Sequence, residues 1–424
     1  MKWKVTPSRL KGTIAIPPSK SHSIRALLIA ALADGTSTIR KPLLTGDGKS
    51  ALNATINFGA NVSYEGDNCI VKGIGDDFSR VQAFFDMGNS GTGTNLFTAA
   101  VALSDKKVTF DGDNSLRSRP FRQVLEALKP LGLSYTFHRD GGDLPYTICG
   151  PIKGGSTTVN GISSQFLSAL LLACPLIKDT STTVSVINLH EHPYVELTLW
   201  WLKKQNIRIE YEHDLSKFII PGHQKYTAFD LQIPSDFSSA TFAAVGAAIV
   251  GDSVKITGLD FSDPQGDKGV FDVIKKAGAF QNVTNDYVIS SAGTLNGKVV
   301  DLNKMPDALP ALSVLACMSQ GETRFINVAQ ARIKETDRIS VMCRELSKMG
   351  ADIEELPDGL IIRNSKLRGA EVCGHDDHRV VMALALAGMV ANGETIISTA
   401  EAADVTYPSF VKDFCSIGAN ITVI

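Results

Sequence analysis

One pattern recurs six times along the chain and limits its fold more than any other feature. A short strand runs into a tight polar knot, and the knot opens an alanine-rich helix. The copies begin near Ile16 (IPPSKSHSIRALLIAALADG), Phe84 (FFDMGNSGTGTNLFTAAVAL), Val159 (VNGISSQFLSALLLACPL), Ile233 (IPSDFSSATFAAVGAAIVG), Leu302 (LNKMPDALPALSVLACMSQG) and Cys373 (CGHDDHRVVMALALAGMVANG). A period of roughly 70 residues predicts an array of similar folded units. It also has a chemical consequence. The start of a helix carries unpaired N–H groups and the positive end of the dipole, so each knot is a candidate anion site.

Each copy continues past its first helix. A β-rich segment follows (TSTIRKPLL, KVTFDG, TTVSVINL, SVKITGL, ETRFINV, ETIIST), then a second, amphipathic helix such as GVFDVIKKAGA or RISVMCRELSKMGA. Strands close most copies, as in NVSYEGDNCIVKG and ADIEELPDGLIIRN. The order is βαβαββ, and a glycine at the end of the second helix suits a C-cap before a strand. Six such repeats predict an α/β protein. The first helices are apolar nearly all round and are therefore expected inside. A chain of 424 residues is too long for one ordinary core, which predicts two lobes of three repeats each. The polar stretch from Pro221 to Gln232 marks one crossing, and a second falls near Lys11 to Ile16. The expected division is 15–230 for one lobe, and 1–14 with 231–424 for the other, the N-terminal strand joining the later lobe.

Composition narrows the function classes. The formal net charge is −2, and the Lys and Arg residues are scattered with no basic run. That gives no general attraction to nucleic acid or to an anionic membrane surface. The opening MKWKVTPSRLKG has no apolar core of signal-peptide length, and the apolar helices are short and polar-flanked, so no membrane span is expected. The seven cysteines lie far apart with no C-x-x-C spacing, which fits buried reduced thiols in a cytoplasmic protein.

The knots carry the chemistry. In the first, Lys20, Ser21 and Arg25 put an ammonium, a hydroxyl and a guanidinium near one helix start. This suits a carboxylate or phosphate, although a capping serine with two solvated cations would look the same. The second, Gly88-Asn89-Ser90-Gly91-Thr92-Gly93, allows close backbone approach to an anion or makes a plain turn. The third offers Ser163, Ser164 and Gln165, again a cap or a site. Asp307 stands in the fifth knot, and beyond the next strand Arg332-Ile333-Lys334-Glu335-Thr336-Asp337-Arg338 packs five charges into seven residues. The sixth, His375-Asp376-Asp377-His378-Arg379, lacks the ligand set of a zinc site, and Arg379 would repel a cation, so no metal is expected. Many cations with two or three carboxylates and few exposed aromatics suit a pair of anionic small molecules and acid/base chemistry.

In this combination and order, the motifs P-S-K-S-x-S-x-R at 18–25, G-N-S-G-T at 88–92, L-R-S-R-P at 116–120, S-S-Q-F-L-S-A-L at 163–170, R-I-K-E-T-D-R at 332–338 and D-H-R at 377–379 resemble the EPSP synthases, a family of enolpyruvyl transferases. The resemblance covers the whole chain. It implies the two-lobed enolpyruvyl transferase fold, with three βαβαββ units per lobe. It also implies transfer of the carboxyvinyl group of phosphoenolpyruvate to the 5-hydroxyl of shikimate 3-phosphate, in a monomer that needs no metal or organic cofactor. By the same resemblance Lys20 touches both substrates and is an acid/base candidate, while Asp307 and Glu335 are the catalytic carboxylates. Shikimate 3-phosphate falls to Lys20, Ser21, Arg25, Ser163, Ser164, Gln165, Asp307, Gln330 and Lys334. Phosphoenolpyruvate falls to Lys20, Asn89, Gly91, Arg119, Gln165, Arg338 and Arg379.

Four positions depart from the family pattern. Asn95 stands where an arginine is usual, and Gln330 where asparagine or histidine is common. Val405 replaces a lysine expected to contact phosphoenolpyruvate. In Glu191-His192-Pro193-Tyr194, a glutamate replaces the serine that would face the shikimate phosphate. An anion there repels a phosphate unless it swings away or is protonated, and His190 or His192 could offset it. A related transferase with another acceptor, or a binding protein that keeps the fold, therefore stands beside the main reading.

Overall fold

The structure is a computed structural model that describes residues 1–140, 143–178, 180–284 and 287–424. It contains six four-stranded sheets, one for each sequence repeat. All share one strand pattern. A short strand lies parallel to the strand after the first helix, and two further antiparallel strands complete the sheet; the parallel strand enters that repeat's own knot in every copy but the first and fourth, and the last two strands are a hairpin in every copy but the sixth. In the fifth repeat, for example, Val299–Asp301 pairs parallel with Glu322–Ile326, Gly359–Arg363 pairs antiparallel beside it, and Asp352–Leu356 closes the edge. The parallel pair forces a crossover, and the buried helix is that crossover.

The chain forms two compact units, Pro18–Ile233 and Met1–Pro17 with Pro234–Ile424. Each has its own apolar core. In the Pro18–Ile233 unit the core helices are Lys20–Leu32, Gly91–Val101 and Ser164–Ala173. In the other they are Phe237–Val250, Leu309–Cys317 and His378–Val390. Every residue from Phe237 to Ala248, and every one from His378 to Met389, is buried. Alanine and glycine make this possible. At Gly388 a Cβ would stand 2.9 Å from the Cβ of Val5, so a strand lies directly against the helix backbone.

The two crossing strands exchange places. Leu10–Ala15 leads into the Lys20–Leu32 helix, yet pairs parallel with Gly251–Thr257, setting Ile14 opposite Ile256. Asp230–Gln232 leads into the Phe237–Val250 helix, yet pairs parallel with Thr36–Arg40, setting Leu231 opposite Ile39. The N-terminal Lys2–Thr6 strand fills the last place in the sixth sheet, between Thr395–Ser398 and Asn420–Val423.

Five of the six knots cap their helices with a side chain. Ser19 accepts from the N–H of His22, Ser90 from Gly93, Ser163 from Gln165, Asp236 from Ser239 and Asp377 from Arg379. One cap satisfies one of the first N–H groups and leaves others free to meet a ligand. Capping and anion binding are therefore compatible readings of the same knot. All seven cysteines are free, but only Cys69, Cys174 and Cys317 are buried; Cys149, Cys343, Cys373 and Cys415 are partly exposed, against the expectation of generally buried thiols. Among the described residues no helix is long and apolar enough to cross a membrane.

Candidate active site

In the Pro18–Ile233 unit the polar side chains gather at the starts of the three core helices. The Lys20 ammonium lies 3.1 Å from a carboxylate oxygen of buried Asp47, which fixes the lysine at the mouth of its helix. Arg25, one turn further in, is buried. Its guanidinium donates to Thr198 Oγ1 at 2.9 Å and to the carbonyl oxygen of Ser21 at 3.0 Å. Weaker bonds reach Ser168 Oγ and the Tyr194 carbonyl oxygen. Burial lowers its pKa to about 10, so it stays charged at neutral pH. Ser21 is half-buried beside it.

The second knot brings Asn89, Gly91 and Arg119 together. Arg119 donates to Asn89 Oδ1 at 2.5 Å, to the Asn89 carbonyl oxygen at 3.2 Å and to Ser115 Oγ at 3.2 Å. A Cβ on Gly91 would lie 3.1 Å from Arg119 Nη1, so the glycine leaves room for the guanidinium. Asn95, where the family pattern has an arginine, is buried. Its amide donates to the Gly91 carbonyl oxygen at 3.0 Å and to Gln165 Oε1 at 2.9 Å, tying the second knot to the third.

At the third knot Ser163 caps and Ser164 opens the helix. Glu191 does not swing away from them. Its carboxylate is buried and takes a hydrogen bond from the Ser164 hydroxyl at 2.9 Å and one from the Ser164 N–H at 3.3 Å.

The other unit holds the acid/base candidates. Arg338 is fully buried at the start of the Arg338–Lys348 helix, and its guanidinium makes four hydrogen bonds to three carboxylates. It bonds Asp377 through Nε at 2.8 Å and Nη2 at 3.2 Å, Asp307 through Nη1 at 2.7 Å and Glu335 through Nη2 at 2.7 Å. This density of carboxylates keeps the guanidinium charged in spite of the burial that opposes it. Asp307 meets three cations, with Arg379 at 3.0 Å and Lys334 at 3.9 Å in addition to Arg338. Burial alone would raise its pKa; Arg379, Lys334 and Arg338 outweigh that and hold it well below the usual carboxylate range. Behind them lies Asp267, buried and bonded to the Ser238 hydroxyl. Burial, with Asp307 as a neighbouring charge, pushes its pKa up to about 6.

Gln330 is buried near this group and donates to the Asn303 carbonyl oxygen at 3.2 Å. Arg332 points elsewhere. It pairs with Asp337 and Glu355 and donates to the carbonyl oxygens of Leu356 and Pro357, so the dense charge run divides into a structural clamp and a reactive cluster. His375 of the sixth knot contacts Glu345 at 2.9 Å. Among the described residues no three His, Cys, Asp or Glu side chains form a group that could hold a metal ion.

The motifs did not single out Asp47 or Asp267, and Asp377 stood in the D-H-R motif without a role of its own. Asp377 had a signal, an aspartate before a helical run, which marks an N-cap. Asp47 and Asp267 sit in Gly-Asp dipeptides that read as ordinary turns.

Comparison with known proteins agrees with this chemistry. The profile of EPSP synthase (3-phosphoshikimate 1-carboxyvinyltransferase) matches residues 5–414. The 3-phosphoshikimate 1-carboxyvinyltransferase of Ruminiclostridium cellulolyticum is 48% identical over 422 residues, covering 99% of both chains. That of Acetivibrio thermocellus is 46% identical over 422 residues, covering 100% of this chain and 99% of its own. A solved structure of EPSP synthase from Acinetobacter baumannii superposes with a TM-score of 0.81 at 26% identity, covering 99% of each chain. The enolpyruvyl transferase NikO from Streptomyces tendae, at 17% identity and a TM-score of 0.81 with 99% of this chain and 98% of its own covered, shares the fold. By sequence over its whole length, and by fold, the chain belongs to the EPSP synthase (3-phosphoshikimate 1-carboxyvinyltransferase) family.

Proposed function

We propose that the protein transfers the enolpyruvyl group of phosphoenolpyruvate to the 5-hydroxyl of shikimate 3-phosphate, releasing phosphate, and that the residues described above do this work. The observation that carries the assignment of roles is Arg338 holding Asp307 and Glu335 through adjacent nitrogens, each at 2.7 Å. Two carboxylates spaced by one guanidinium can serve two proton transfers in a single addition. In this reading the 5-hydroxyl oxygen attacks C2 of phosphoenolpyruvate and its proton passes to Asp307. Glu335 gives a proton to C3. The tetrahedral intermediate then returns the C3 proton to Glu335 and expels phosphate by cleavage of the C2–O bond, with Lys20 as the proton donor to the leaving group.

The cations have a matching task. Arg338, Arg379, Lys334, Lys20 and Arg119 neutralise anions where charge develops. Ser163, Ser164 and Gln165 hold the acceptor's phosphate and ring, and Ser21 and Arg25 its carboxylate; Gln330 adds an amide to the acceptor side. Asn89 and Gly91 frame phosphoenolpyruvate with Arg119. We also take the protein to act in the cytoplasm, for which its seven free cysteines are the support, and as a monomer.

Phosphate release from the two substrates tests this, with Glu335→Gln as the control. Turnover by the parent and a loss of at least about a hundredfold in the variant are expected, the usual scale for removing a general acid/base. Equal turnover by both would overturn the role of Glu335.

A further inference from the structure

The buried Glu191 carboxylate lies where an anion is wanted. It sits at the N-terminus of the Ser164–Ala173 helix and takes both the N–H and the hydroxyl of Ser164. A phosphate oxygen at a helix start takes those same two kinds of donor. Glu191 itself precedes the His192–Lys204 helix, but its side chain does not cap that helix. Its backbone is held at φ 57, in the left-handed region that a non-glycine residue seldom adopts. Its side chain is bonded to Ser164 and does not cap its own helix, and only 1% of the residue is exposed.

We infer that Glu191 is an internal competitor for the acceptor's phosphate and sets the enzyme's affinity for it. The inference rests on the reading of Ser163 and Ser164 as the phosphate cradle. With the carboxylate docked, the Ser164 donors are occupied and a second anion is repelled. Shikimate 3-phosphate binds the fraction of molecules in which Glu191 has rotated out. Apparent affinity then falls by that fraction. If nine molecules in ten or more hold the docked carboxylate, the weakening is about tenfold or greater. The effect acts on the phosphate of the acceptor and spares phosphoenolpyruvate.

The test is calorimetric titration of shikimate 3-phosphate into the full-length protein and into E191S, E191Q and E191S/S164A, with KM measured for both substrates. E191S is expected to bind shikimate 3-phosphate at least about tenfold more tightly. E191Q, which keeps the shape and loses the charge, should lie between. The KM for phosphoenolpyruvate should not follow. Unchanged or weaker binding in E191S, with its melting temperature preserved, overturns the inference; if E191S does not fold, unchanged or weaker binding in E191Q does so. The double variant separates the two layers of the argument. If removing Ser164 from E191S weakens binding, the cradle stands whatever Glu191 does. If it changes nothing, the cradle assignment itself is wrong.

Discussion

Asp267→Asn should stabilise the protein, and the gain should depend on pH. Asp267 is 3% exposed, accepts a hydrogen bond from Ser238, and has Asp307 and Asp236 as like-charged neighbours against the single opposing charge of Arg379. Burial is the main reason its pKa rises to about 6 from an ordinary 3.8. Below about pH 3.8 the group is protonated in both folded and unfolded protein and contributes nothing. Between about 3.8 and 6 the folded state holds a proton that the unfolded state has lost, so stability from this group falls as pH rises. Above about 6 the full penalty applies, and at about 1.4 kcal/mol per pH unit it amounts to about 3 kcal/mol. Asparagine keeps an oxygen for Ser238 and cannot ionise. Urea unfolding of parent and variant at pH 8 and at pH 4.5 is the assay, read on the unit that contains residue 267. The gain should approach about 3 kcal/mol at pH 8 and shrink to under about 1 kcal/mol at pH 4.5. A variant no more stable than the parent at pH 8 refutes the reasoning. A gain of equal size at both pH values would assign the effect to packing and not to charge.

Arg338→Met should cost about 3–5 kcal/mol in denaturant unfolding, because it removes the buried cation that Asp307, Glu335 and Asp377 share. Arg338→Lys keeps the charge, loses the fork and should fall between parent and Met; a Met variant within about 1 kcal/mol of the parent would sink this account. Gly91→Ala should leave folding intact, since the new methyl meets the flexible end of Arg119 at 3.1 Å. It should raise the KM for phosphoenolpyruvate roughly tenfold by displacing one charged donor, and an unchanged KM would detach Arg119 from that substrate. Val405→Lys, in the half-buried turn Ala400–Val405, should lower the KM for phosphoenolpyruvate roughly tenfold if it restores a charged contact. No change in that KM counts against a lysine's reach from this position.

The repeat, the burial of its first helices and the position of each knot were legible because they depend on local signals. An alanine-rich run without a polar face has nowhere to go but inside, and Ser, Asp or a glycine pair before it marks where it starts. What could not be read was the choice among partners far apart in sequence. Leu10–Ala15 looks like any other entry strand, and nothing in its six residues says that it belongs beside Gly251–Thr257. Arg332 and Arg338 lie in one charged run, but Glu355 on a distant strand draws the first aside. Glu191 was recognised as out of pattern, and whether it turned away from Ser164 or toward it was a rotamer choice settled by packing.

Asp307 shows why the charges must be read together with the substrates. A carboxylate facing Arg338, Arg379 and Lys334 is a weak base, because those cations outweigh the effect of burial and hold its pKa well below the ordinary range. As it stands in the free protein, it would not take a proton from a hydroxyl. The same three cations are the groups proposed to meet substrate phosphates and carboxylates. When an anionic substrate draws them off, the field on Asp307 weakens, burial is left to dominate, and its pKa rises toward the value a base requires. With the proposed roles, binding creates the base. The pH profiles are the test: kcat/KM reports the free enzyme and kcat the bound one. The acid limb governed by Asp307 should therefore appear at higher pH in kcat than in kcat/KM, and Asp307→Asn should remove the limb from kcat. Coincident acid limbs would mean that the cations stay on Asp307 throughout the reaction, and the proton from the 5-hydroxyl would then need another acceptor.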